Sequence, residues 1–199
     1  MNTKFLGKTL VASALVLTTL GTGLHSSYLG LNTNKVVKTA KAEENMTNGQ
    51  LWKKVKDSLI DSNIISGNEY ESVKVSYVRT DGQSSNVEST ANHDDVTSTP
   101  SNFSKLTQID ISKQNIDGSD FNTKLDANAT WKSLTKKLEE QGLLKTGDKV
   151  TIHSKDSNDP KITGTVGQDF TDHKGFNLNK RDINKITIEK ILNSNFLNL

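Results

Sequence analysis

Leu51-Trp52-Lys53-Lys54-Val55-Lys56-Asp57-Ser58-Leu59 and Thr130-Trp131-Lys132-Ser133-Leu134-Thr135-Lys136-Lys137-Leu138 align at an offset of 79, and the alignment superposes the only two tryptophans of the chain. Val55/Leu134, Leu59/Leu138, Ile64/Leu143 and Ile65/Leu144 keep their apolar character at the same offset. In each copy Trp and the following apolar positions fall on one face of a helix, with Lys, Asp and Glu outside. Thr47 and Gln50 have capping-box spacing before the first copy, and Asn128 or Thr130 are candidate caps for the second. Asn63 aligns with Gly142, the two residue types that most readily take the left-handed conformation past a helix end. These signals predict helices near 49–62 and 130–141.

Each helix is followed by a turn (Ser66-Gly67-Asn68-Glu69; Thr146-Gly147-Asp148) and then a strand-like alternation in Val73–Val78 and Lys149–His153. The offset slips to 77 and stays there through Leu106/Ile183, Ile109/Ile186 and Ile111/Ile188, so 106–112 and 183–191 are matching late strands. Turn chemistry at Thr80-Asp81-Gly82-Gln83 and Ser157-Asn158-Asp159-Pro160 makes 162–166, and a weaker segment near 84–90, returning strands. The polar stretch 80–102 has few apolar residues to bury and reads as a flexible loop. The expected fold class is α+β, a tandem repeat of two small units of about 75 residues, each one helix on a three-stranded sheet. The expected boundaries are a signal peptide over 1–42, a first repeat over 43–125 and a second over 126–199.

The N-terminal assignment rests on Lys4 and Lys8, an apolar run from Leu10 to Leu20, and Ala40-Lys41-Ala42 ahead of Glu43. Cleavage near Ala42 and release into the medium follow. About twenty residues separate the apolar run from Ala42, which keeps an earlier cut or a retained membrane attachment open. The sequence has no lipobox Cys and no Leu-Pro-x-Thr-Gly sorting signal. Absence of Cys and the Lys/Asn-rich composition suit an exported protein of a Gram-positive bacterium. The 199 residues carry 25 basic and 23 acidic side chains, but 1–42 holds five lysines and no acid, which leaves 20 against 23 and a net charge of −3. With only Arg79 and Arg181 as arginines, no phosphate-binding stripe is present, and nucleic acid is not an expected partner.

No catalytic, cofactor or metal residues are assigned. His93-Asp94-Asp95 and Asp169-Phe170-Thr171-Asp172-His173 place His beside carboxylates, yet neither has the spacing that brings ligands to one helical face, and solvated turns are the better reading. A secreted hydrolase using His93 or His173 is the weakest of the functional classes considered. Asp156-Ser157-Asn158-Asp159-Pro160 puts Pro where a calcium loop needs Gly. Ser133-Leu134-Thr135-Lys136 and Lys145-Thr146-Gly147 imitate two elements of the penicillin-binding signature but lie nine residues apart, without the third. Trp52 and Trp131 read as core. The sequons at Asn45, Asn102 and Asn128 read as chance matches.

The helix followed by Gly147-Asp148-Lys149-Val150-Thr151-Ile152 and, after a hairpin, Asn179-Lys180-Arg181-Asp182-Ile183-Asn184-Lys185-Ile186-Thr187-Ile188-Glu189-Lys190-Ile191 resembles the closing half of small secreted staphylococcal β-grasp modules, the MAP-domain adherence proteins and superantigen-like proteins. The likeness covers mainly 130–191 and more faintly 51–112. Those families begin with strands, whereas each unit here begins with its helix. The resemblance implies a β-grasp-like sheet and a non-enzymatic role in binding host plasma, matrix or immune proteins. The expected function is therefore a secreted binding protein without cofactors that engages a protein partner through surface complementarity, including exposed sheet edges. The alternative is a cell-envelope-associated structural or wall-binding protein, held to the membrane only through an uncleaved signal segment.

Overall fold

The computed structural model describes residues 46–190 apart from 95, 96 and 117. The signal segment, the cleavage site, Asp95 and the apolar C-terminal run from Ile191 lie outside the described residues. In chain order the elements are α1 (Asn48–Asp61), β1 (Glu71–Arg79), β2 (Ser84–Thr90), β3 (Phe103–Lys113), β4 (Lys124–Asp126), α2 (Ala127–Glu140), β5 (Lys149–Ser154), β6 (Ile162–Thr165), β7 (Asn177–Asn179) and β8 (Ile183–Glu189). Short 3-10 turns at Ser119–Asn122 and Lys180–Asp182 precede β4 and β8.

The helix signals act locally as their chemistry dictates. Thr47 and Gln50 exchange capping-box hydrogen bonds: the Gln50 N–H donates to Thr47 Oγ1 at 3.2 Å, and the Thr47 N–H donates to Gln50 Oε1 at 2.9 Å. Asn63 (φ 59°) and Gly142 (φ 75°) both take the left-handed conformation beyond the helix ends. Only the start of α2 differs from expectation. Asp126 is the cap, accepting the Ala129 N–H at 2.8 Å, so the helix begins three residues earlier and encloses Asn128 and Thr130. Both indoles are buried and donate to matching strands, Trp52 Nε1–H to Val73 O at 2.9 Å and Trp131 Nε1–H to Val150 O at 3.0 Å.

The two-unit expectation is overturned at the level of the sheet. One six-stranded antiparallel sheet runs in the order β2-β1-β3-β8-β5-β6, and a separate two-stranded sheet pairs β4 with β7. β3 and β8 join directly, with Gln108 opposite Thr187, Ile109 opposite Ile186 and Asp110 opposite Lys185. Among the described residues there are thus not two helix-on-three-strand units, nor a β-grasp-like sheet, but a mostly β structure with two helices. The physical reason lies in the edges. Alone, each three-stranded half would leave Leu106, Ile109 and Ile111, or Ile183, Ile186 and Ile188, on a free strand over a core of marginal size. Pairing the two removes both edges and fuses the cores, and the strand order then reads alike from either end.

A single apolar cluster holds Leu51, Trp52, Val55 and Leu59 of α1, Trp131, Leu134 and Leu138 of α2, and the inward residues of the sheet. The helices touch each other on that one face. Gly164 of β6 has a specific reason: a Cβ there would lie 2.7 Å from both Trp131 and Phe170, whose rings stack above it with centroids 4.3 Å apart. Within the polar stretch 80–102, the weaker strand expected near 84–90 is β2, and the later part supplies acceptors to the start of α1. The Asn48 N–H donates to Thr99 O and the Gly49 N–H to Thr97 O, while Ser101, 1% exposed, donates its N–H and hydroxyl to Met46 O. Donors that a helix start leaves without intrahelical partners are satisfied this way.

Candidate functional site

With both helices on one face, the other face of the six-stranded sheet is built from the alternate residues of each strand. The register places them in two rows. The first crosses all six strands without a charge: Thr163, Thr151, Thr187, Gln108, Ser76 and Asn86 stand opposite one another in turn. The second runs alongside as His153, Lys185, Asp110, Lys74 and Glu88, with lysine and acid alternating after the histidine. Further cross-strand polarity comes from the Lys149–Glu189 ion pair at 3.4 Å. Five inter-strand spacings of about 4.8 Å make this polar face roughly 24 Å wide. Its hydroxyls are held in place, Thr151 Oγ1 and Thr163 Oγ1 at 3.0 Å, and Thr187 Oγ1 at 3.0 Å from His153 Nε2.

That last contact brings an imidazole to a hydroxyl. Partial burial first, and then Lys161 and Lys185, push the His153 pKa below its ordinary value. What the face offers is an ordered array of donors and acceptors across the sheet.

Beneath the helices lies a second polar group that sequence reasoning missed. Glu71, 1% exposed, accepts the N–H groups of Ser66, Gly67 and Asn68 on Oε2 at 2.8, 2.9 and 3.3 Å, fixing the turn between α1 and β1. Lys113 at the end of β3 donates to Ile64 O at 3.0 Å, to Ile183 O at 3.3 Å and to Lys180 O. Lys180 in turn donates to Ser66 Oγ at 2.7 Å and Asn63 Oδ1 at 3.2 Å. Two lysines therefore bind the first half's turn to the approach to β8. Burial, only partly offset by Glu71, lowers the Lys113 pKa to about 8, and Lys180 is lowered in the same direction by burial. The offset of 77 holds the only sequence signal: Glu71 and Lys113 correspond to Asp148 and Lys190. Those two form a direct ion pair, and Asp148 caps its own turn through the Lys145 N–H at 2.8 Å.

The residues considered from sequence are dispersed. His93 is exposed, and Asp94 is engaged by Lys56 and Lys53, whose hydrogen bonds hold its carboxyl below the usual range. His173 occupies a left-handed turn (φ 57°). Asn128 is buried and donates to Phe170 O and Asp172 O, a structural role. Lys136 is exposed beside Glu140, and Lys145-Thr146-Gly147 forms a turn, so the penicillin-binding look-alike assembles nothing. Among the described residues no three His, Asp or Glu side chains gather in a metal-ligating group, and no helix is long and apolar enough to cross a membrane. A cleft of about 330 Å³ at the start of α1 is bordered by Gln50, Lys53, Asp94 and Ser98, but the capping box and the ion pairs occupy its polar groups.

A family model described as a domain of unknown function, DUF4888, matches residues 47–188. The chain belongs to this family. The DUF4888 match runs from the cap of α1 to Ile188 within β8, so it spans both halves and the whole six-stranded sheet. No curated protein matches the chain.

Proposed function

We propose that this DUF4888 protein is an exported, non-enzymatic binding protein of a Gram-positive bacterium that engages a host extracellular or immune protein through the open polar face of its sheet. The signal-like segment 1–42, with cleavage near Ala42, supports export. The observation that carries the binding reading is the pair of cross-strand rows, uncharged and charge-alternating, on the face opposite both helices. Surfaces of placed donors and acceptors suit protein recognition, in which complementary charge steers encounter and fixes register. An acidic mature chain of net charge −3 favours a partner with a basic patch.

The immobilised chain should capture a defined protein from host plasma or neutrophil extract. Exchanging Lys74 and Lys185 for Glu turns the alternating row into consecutive acids and should abolish that capture while leaving the circular dichroism spectrum intact. Absence of enrichment at low-micromolar bait, or capture indifferent to the double substitution, contradicts the proposal.

A further inference from the structure

The two outer strands of the sheet are treated differently by the sequence. β6 is four residues long, contains Gly164 and is entered through Pro160 and Lys161, devices that discourage strand pairing. β2 has seven residues, no Pro, Gly or Lys, and an unbroken register against β1 from Ser72–Thr90 to Val78–Ser84. At the ends of that ladder the Ala91 N–H donates to Glu71 O and the Arg79 N–H to Gln83 O. The alternation of an antiparallel pair then directs the backbone groups of the odd residues toward β1. Those of Ser84, Asn86, Glu88 and Thr90 point away from the sheet, and all four residues are exposed. Among the described residues, the exposed large hydrophobic side chains Ile60 and Tyr70 lie at the same end of this edge. Ile60 packs against Gly67, which faces Ala91 O, and Tyr70 shares a shallow depression with Thr90.

The outward set is self-complementary. In an antiparallel pairing about a two-fold axis through Val87, all seven residues find partners: Asn86 meets Glu88 of the second copy on the open face, twice by symmetry, and Ser84 meets Thr90. Val87 meets Val87 on the helix face. Sliding by two residues in either direction leaves strand ends unpaired, and one of the two slides also sets Glu88 against Glu88, a like-charge pair. We infer that β2 pairs with β2 of a second copy of this chain about that axis, joining two sheets into one of twelve strands. The arrangement places two open faces side by side. It stands whether or not that face binds a host protein.

Sedimentation equilibrium of the full chain tests it. The wild type should associate to a dimer. Asn86→Asp, which twice opposes two carboxylates, should weaken the dimer roughly tenfold, and Asn86→Lys, which twice opposes Lys to Glu88, should tighten it by a similar factor. The chain has no cysteine, so an introduced one reports position without background. Val87→Cys should give a disulfide-linked dimer on oxidation, because residues at a non-hydrogen-bonded antiparallel position stand about 4.5 Å apart between Cα atoms. Ser85→Cys should not, since its copies lie four residues apart along the strands. A chain that stays monomeric at its solubility limit in both wild-type and Asn86→Lys forms overturns the inference, as does equal cross-linking at 85 and 87.

Discussion

Replacing Trp52 by alanine is expected to cost about 4 kcal/mol of folding stability, a large share of what a domain of this size possesses. The side chain is fully buried among Leu51, Val55 and Leu59, and its loss opens a void that the fixed positions of α1 and β1 cannot close. Two further interactions go with the ring. The indole N–H leaves Val73 O without its side-chain donor, and the Lys56 ammonium, 5.3 Å from the ring centroid, loses its aromatic face. Trp131→Ala should show a loss of the same order, since that ring fills the space above Gly164 against Phe170. Urea denaturation monitored by circular dichroism measures both. A loss below about 1 kcal/mol for either would mean that the ring does not pack as described.

The second large effect is one of pH. Lys113 has its pKa lowered from 10.5 to about 8, chiefly by burial, with Lys180 and Lys155 lowering it further and Glu71 and Asp182 opposing them. Below pH 8 the ammonium is charged in both the folded and unfolded chain, and the folded state bears the cost of burying it. Between pH 8 and 10.5 the unfolded chain holds the proton that the folded chain has released, so stability should rise with pH across that window. The full rise from this group is about 3 kcal/mol. Lys180, lowered in the same direction, adds to it, which is why the decisive quantity is a difference. The stability of wild type minus that of Lys113→Met should grow in favour of wild type by about 3 kcal/mol between the two ends of the window. A difference that stays flat with pH would place the Lys113 amine in water.

The helices and all six strands of the main sheet were legible because their signals are local. Trp, capping residues and the positive-φ positions Asn63 and Gly142 announce helix bounds within a few residues, and apolar alternation announces strands. Strand partners were not legible. An offset that aligns Ile109 with Ile186 is equally compatible with two separate sheets and with one sheet in which those residues face each other, as they do. The cap of α2 was missed because Asn128 and Thr130 are also good caps, and Asp126 prevailed once β4 had placed it against β7. The short strands β4 and β7, three residues each, carry no periodicity to read. The open face was present in the sequence as the polar half of every alternation, but its rows exist only through cross-strand register. The same holds for Glu71, Lys113 and Lys180, which are far apart in sequence: β1–β3 pairing sets Glu71 opposite Lys113, and the approach to β8 brings Lys180 to them.

Everything proposed for the open face depends on the duplicated halves forming one body, and the chain's two tryptophans allow that to be measured directly. Each half holds one, so Trp52→Phe leaves a fluorescence probe in the second half and Trp131→Phe leaves one in the first. In each variant, urea unfolding followed by the remaining tryptophan and by circular dichroism should give one coincident transition, because the β3–β8 pairing and the shared core couple the halves. Tryptophan transitions that separate from the circular dichroism transition, with one half unfolding while the other persists, would contradict a single sheet and the continuous face built on it.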